Sequence, residues 1–150
     1  MSRSAPETVT GKLSGLIAAA GVQHFTAAEV LTLGASHASN GLNTLPPMSI
    51  VHQIMPTLVI VDQLREHLKS PVTILSGYRS AAYNKAVGGS RGSMHMQFRA
   101  LDIQAKQHTA ENVWSILRRW RSEGLWKGGL GKYATFVHID DRSANADWNG

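Results

Sequence analysis

Ser93-Met94-His95-Met96-Gln97-Phe98-Arg99-Ala100-Leu101-Asp102-Ile103-Gln104-Ala105 and, further on, Thr135-Phe136-Val137-His138-Ile139-Asp140 are the stretches that decide this chain. Ala100 to Ala105 alternates and predicts a strand, and so does the β-branched and aromatic run before Asp140. Successive side chains of a strand leave on opposite faces. His138 and Asp140 therefore project together, while Val137 and Ile139 face a core. His95 stands seven residues before Asp102, ahead of the first strand. Two imidazoles, His95 and His138, and the carboxylate of Asp102 compose a three-ligand zinc set with a fourth position left for water. There is no cysteine. Any metal site must use imidazoles and carboxylates, and no disulfide can hold the fold.

Working outward, the elements fall into an α+β order. Residues 1 to 22 read as a leader with one short helix. Thr26-Ala27-Ala28-Glu29 is a capping box, which starts a helix running to about Leu33 and ending at Gly34. Residues 35 to 46 are rich in Ser, Asn and Gly and read as a surface loop. Ile50, Ile54, Leu58, Val61, Leu64 and Leu68 recur at helical spacing from Pro47 to Lys69, with Pro56 expected to kink or split the helix. Val72 to Leu75 is a short strand. Ser80 caps a helix through Val87 that Gly88-Gly89 stops. Thr109 starts another, with Val113, Leu117 and Trp120 on one face, ending near Gly124. Residues 128 to 133 and 134 to 140 read as a hairpin-like pair of strands. The expected fold is α+β: a small antiparallel sheet carrying the zinc site, packed against helices, in a single domain over residues 23–150.

Composition narrows the function. The chain has 150 residues, 43% apolar and 17% charged, which excludes a disordered chain and leaves enough length for a core. No apolar run is long enough to span a membrane. No secretory signal is evident: Pro6 and Glu7 follow Arg3, and the apolar stretch from Leu13 to Val22 is short and broken by Ser14, Gly15 and Gly21. The expectation is a protein made in the cytoplasm that reaches its target by another route. A net charge of +5 suits an anionic partner. Basic residues are scattered, with only Arg118, Arg119 and Arg121 clustered, as on a solvated helix face. Without a basic stripe interleaved with aromatics, no nucleic-acid partner is expected. His24, His37, His52, His67 and His108 lack ligand-type neighbours and read as surface or packing residues. Trp114, Trp120, Trp126 and Trp148 read as core or rim packing.

Several short words occur in a fixed order: Ser76-Gly77-Tyr78-Arg79-Ser80, then Tyr83-Asn84, Val87-Gly88-Gly89, Ser93-Met94-His95, Arg99-Ala100-Leu101-Asp102, and Phe136-Val137-His138-Ile139-Asp140. Over roughly residues 24 to 148 the chain resembles the zinc D-Ala-D-Ala carboxypeptidase family of peptidoglycan peptidases, whose fold group includes lysostaphin and the hedgehog signalling domain. Phe25-Thr26-Ala27-Ala28-Glu29 is similar to the opening segment of phage-borne and prophage-borne members. The resemblance implies one zinc ion on His95, Asp102 and His138. It implies Arg79 as the residue that holds a substrate carbonyl or carboxylate, with Tyr78 and Ser93 as further substrate-binding positions, Ser93 also supporting the first ligand. It implies bacterial peptidoglycan as partner and hydrolysis of a stem or cross-link amide, of the D-Ala-D-Ala or the L-Ala-D-Glu type, by a monomer, in the setting of an endolysin or a wall-remodelling enzyme.

Two positions depart from the family pattern. Phe98 stands where the family often has glycine, and either narrows the pocket or packs under the sheet. Thr135 and Phe136 stand where relatives carry a general base. Asp140 is the nearest same-face candidate for that base; its alternative role is to orient an imidazole. These departures keep a second reading open: a non-catalytic wall-binding or phage structural module of the same fold.

Overall fold

Strands β1 (Val72–Ser76), β2 (Ala100–Ala105), β3 (Gly129–Lys132), β4 (Val137–Asp140) and β5 (Ala146–Asn149) form one sheet in the order β1-β2-β4-β3-β5 in a computed structural model that describes residues 7–150. Helices α1 (Val9–Ala20), α2 (Ala27–Val30), α3 (His37–Asn40), α4 (Met55–Leu68), α5 (Ala81–Ala86) and α6 (Ala110–Ser122) surround it. The architecture is α+β as expected, with a mostly antiparallel sheet. β1-β2, β2-β4 and β3-β4 are antiparallel. β5 lies parallel to β3, with Leu130 opposite Asp147 and Gly131 opposite Trp148. The expected pair of late strands is present, and β5 is an addition. Its run Ala146-Asp147-Trp148-Asn149 alternates apolar and polar, but over only four residues and with one large apolar side chain, and sequence reasoning missed it.

Register places the site. Asp102 lies opposite His138 across β2-β4, and Ser76 lies opposite Asp102 after an irregularity in β1. The apolar face of the same strands, with Leu101, Ile103, Val137 and Ile139, is buried in one core with Leu58, Val61 and Leu64 of α4 and Val113 and Leu117 of α6. Each such side chain contributes about 1.5–3 kcal/mol on burial. That core also contains Leu13 and Ile17 of α1. The helix expected in the leader is therefore packed, through a face that includes these two residues. Residues 1–6 of the expected leader, with Arg3 and Pro6, lie outside the described residues.

The segment after Pro47 divides where its proline directs. Met48–Ile54 is a 3-10 turn, and α4 begins at Met55 with Pro56 in its first turn, where a missing N–H has no helical partner to lose. Thr26 and Glu29 form the expected capping box of α2, which ends at Val30, earlier than the sequence suggests. The loop of residues 35 to 46 carries α3 and a buried residue, Asn43. Its amide donates to the carbonyls of Leu33 and Tyr78 and accepts from the Ser80 backbone, tying the loop to the turn that bears Arg79. Arg121 corrects the reading of a solvated basic face: it is 8% exposed and donates to the carbonyls of Gly128 and Ala146 and to Asp147. It bridges α6 to the β3-β5 edge, because the missed strand brings carbonyls and a carboxylate to that end of the helix. No described helix is long and apolar enough to cross a membrane.

Candidate metal centre

His95 is held on a 3-10 turn, Met94–Gln97, that Ser93 caps by accepting the His95 backbone N–H. The turn closes at Phe98, which adopts a left-handed conformation at φ 54° and is fully buried. The glycine common in relatives suits that conformation. Here a phenyl ring anchors it instead, edge-on to Tyr78 in the core. Phe98 packs under the sheet and leaves the pocket free. The His95 carbonyl in turn accepts from the Arg79 backbone N–H, which joins this turn to the loop after β1.

His95, Asp102 and His138 are all buried, and their ligand atoms lie within 4.8 Å of one another. Asp102 Oδ1 is 3.1 Å from His95 Nε2 and 3.0 Å from His138 Nδ1. The Gly77 carbonyl fixes the tautomer of His95, whereas both ring nitrogens of His138 face carboxylates, with Asp140 at the shorter distance. His95 Nδ1–H donates to the Gly77 carbonyl at 2.7 Å, and His138 Nε2–H donates to Asp140 Oδ2 at 2.7 Å. The inner nitrogen of His95 is then a lone-pair acceptor facing a carboxylate oxygen, and that of His138 becomes one when its ring is neutral. Three such atoms converging in a buried place call for a cation among them, a proton on His138 in the metal-free protein or a metal ion in its stead. Nitrogen and oxygen donors in this number fit a zinc-type ion, and the outer hydrogen bonds are of the kind that orient metal-bound imidazoles.

The electrostatics agree. Burial alone would raise Asp102, but the charges and hydrogen bonds of His95 and His138 outweigh it and hold its carboxyl well below the usual range. Burial pushes His95 down. Burial also opposes a charged His138, yet its hydrogen bonds with Asp102 and Asp140 prevail and raise it.

Arg79 closes the other side of Asp102, with Nη2 donating to Oδ2 at 3.1 Å. Its Nε donates to Ser76 Oγ and its Nη1 to Asn84 Oδ1. Gly89 does more than stop a helix: a Cβ there would stand 2.0 Å from Asn84 Oδ1 and 3.1 Å from Arg79 Nη1, so the glycine makes room for this contact. Arg79, Ser93, Asp102 and His138 line one cavity of about 510 Å³. Tyr78 does not line it; its ring packs on Phe98 and its carbonyl holds Asn43. A larger groove of about 620 Å³ runs along α6 beside Trp114 and Arg118 and has no comparable donor set.

Asp140, expected as the general base, is fully buried and does not line this cavity. Its Oδ1 accepts from the backbone N–H groups of Gly129 and Arg142 and from Arg142 Nε; its Oδ2 accepts from His138 and Arg142 Nη2. Burial raises its pKa, but these partners outweigh that and hold it below the usual range. A carboxylate so occupied is an orienting group for His138.

Sequence reasoning missed Arg142, Tyr133, Phe136 and Trp148, which form the far wall of the cavity. The alternation that pairs His138 with Asp140 continues to Arg142 and could have flagged it. Trp148 is a rim residue, as read, but a rim of the site: its ring centroid is 5.1 Å from that of His138, and its Nε1–H donates to the Tyr133 hydroxyl.

The sheet opens Asp102 and His138 to a polar cavity, with His95 buried beside them, an arrangement able to hold a metal ion next to a space for substrate. The Peptidase M15 family model matches residues 23–140, and the chain belongs to that family of zinc-dependent metallopeptidases. A comparison with curated proteins gave no match.

Proposed function

We propose that the protein is a zinc peptidase that hydrolyses an amide in the peptide stem or cross-link of bacterial peptidoglycan, of carboxypeptidase or endopeptidase type, acting as an endolysin does. The carrying observation is the convergence of His95 Nε2, Asp102 Oδ1 and His138 Nδ1 beside an open cavity. His95 Nε2, Asp102 Oδ1 and His138 Nδ1 would hold the ion. When bound, zinc supplies Lewis acidity, polarising a carbonyl and acidifying water to a pKa of about 7.

The chain's own residues do the rest. Gly77 and Asp140 hold the two imidazoles in their ligating tautomers. Arg79 keeps Asp102 turned toward them and places a guanidinium at the cavity wall, where negative charge develops on the scissile carbonyl oxygen. Ser93 fixes the turn that presents His95. The glycine-bearing loop and the aromatic wall bound the space a peptide would fill.

Turbidity loss of purified cell wall, with mass analysis of the released fragments, tests the reading. Chelator-sensitive release of peptide fragments supports it and names the bond. One observation favours a second reading, a wall-binding module: Asp102 is the only carboxylate lining the cavity among the described residues. Protein that retains zinc and binds wall without releasing any fragment would establish that module instead.

A further inference from the structure

Two guanidinium groups face the cavity, and their donors are spent differently. Arg79 has a protein acceptor for each of its three nitrogens, at Ser76, Asn84 and Asp102. Arg142 gives one edge, Nε and Nη2, to Asp140, and among the described residues nothing accepts from Nη1. Its side chain is 34% exposed, against 17% for Arg79. Trp148 supports it, with the guanidinium carbon 4.8 Å from the ring centroid. A rigid fork with one edge anchored and another uncommitted is suited to bidentate binding of a carboxylate. The cavity has no acidic residue besides the ligand Asp102 to compete for it.

We propose that Arg142 is the substrate-carboxylate anchor, and that the substrate is an amide whose leaving amine carries a free α-carboxylate. This rests on the peptidase reading. Arg142 is joined to the metal centre through Asp140 and His138, so its anchor point lies beside the reacting group, and only a carboxylate close to the scissile amide can reach both. Both candidate bonds satisfy this. Cleavage of D-Ala-D-Ala releases an amine with a carboxylate on the same carbon, and so does cleavage of L-Ala from γ-linked D-Glu. Arg79 is left to orient Asp102 and face the carbonyl oxygen.

The test pairs each substrate with its amide. N-acyl-D-Ala-D-Ala is compared with its C-terminal carboxamide, and an L-Ala-γ-D-Glu peptide with its α-carboxamide, on zinc-loaded protein. Wild type should favour the acid in kcat/KM by about 10–100-fold in the pair it cleaves, the scale of a charge-assisted hydrogen bond. Arg142→Ala should bring that ratio close to one, and Arg142→Lys should restore part of it. A role only in steadying Asp140 would slow acid and amide alike; a preserved ratio in Arg142→Ala therefore overturns the proposal. So does a ratio lost in Arg79→Ala but kept in Arg142→Ala. If wild type releases fragments from purified wall but cleaves neither pair, the substrate assignment is overturned; if it releases none and cleaves neither pair, the peptidase reading fails and binding decides the anchor. Calorimetry with D-alanine and D-glutamate against their α-amides should show acid-selective binding that Arg142→Ala removes; selectivity that is absent, or unchanged in the variant, overturns the anchor.

Discussion

His95 sits on a one-turn 3-10 segment and gives its outer N–H to a backbone carbonyl, whereas His138 sits on strand β4 and gives its outer N–H to a carboxylate that Arg142 clamps. One half of the centre is held by packing and main chain, with Phe98 and Gly77 as its supports. The other is held by a line of charges running Arg142, Asp140, His138, Asp102, Arg79. The contrast shows how a short chain without cysteine brings three candidate metal ligands together on two unlike supports, each of which can be broken separately.

Replacing a ligand removes both halves at once. His95→Ala or Asp102→Ala should lose zinc and all hydrolysis, as read by metal analysis and fragment release; full zinc retained in both would refute the ligand set. Phe98→Ala attacks the packed half. Removing a fully buried ring costs about 3–5 kcal/mol, which denaturant titration should show as a lowered midpoint. A cost below about 1 kcal/mol would mean the left-handed turn needs no such anchor.

Asp140→Asn attacks the charged half. The shape is kept but the carboxylate is lost, so zinc affinity or turnover should fall about 10–100-fold, the usual cost of losing a metal ligand's outer partner. Near-normal values in both would take Asp140 out of the centre. The smallest effect is in pH. Without metal, His138 has a raised pKa, so it holds its proton to higher pH than a free imidazole. The stability this adds to the metal-free protein is full below the ordinary imidazole pKa and is lost as pH rises through the raised value. The same proton competes with zinc. Chelator competition across pH should show affinity declining with acid by at most about tenfold per unit for one proton, starting above the ordinary imidazole range. Asp140→Asn should move the onset to lower pH; an onset that stays in place would separate Asp140 from the titration.

The convergence of His95, Asp102 and His138 was legible because short words whose order survives in the chain carry all three. His138 and Asp140 share a face by periodicity alone, and β2 was readable from Ala100 to Ala105. The long helical period located α4, and Pro56 located its start. The far wall of the cavity was not legible. Trp148 comes from a four-residue strand whose apolar side holds only Ala146 and Trp148, and which pairs in parallel with a strand it does not follow directly. No local pattern encodes such a pairing. Arg121 was misread for the same reason: its acceptors lie on Gly128, just before β3, and on β5, so its burial is a tertiary fact. Asn43 and Asn84 sit in stretches whose composition suggested a loop and a helix, and their side-chain duties appear only once distant backbone closes around them.

Gly131 faces His138 across β3-β4 and lies beside Trp148 on β5; a Cβ there would stand 2.5 Å from the indole nitrogen. The indole can lie against the sheet next to His138 only because that position is bare. Both sides of this flank are thus constrained: trimming the tryptophan would widen the doorway and remove the ring under Arg142, while adding one methyl group at the glycine would push the door itself off its frame.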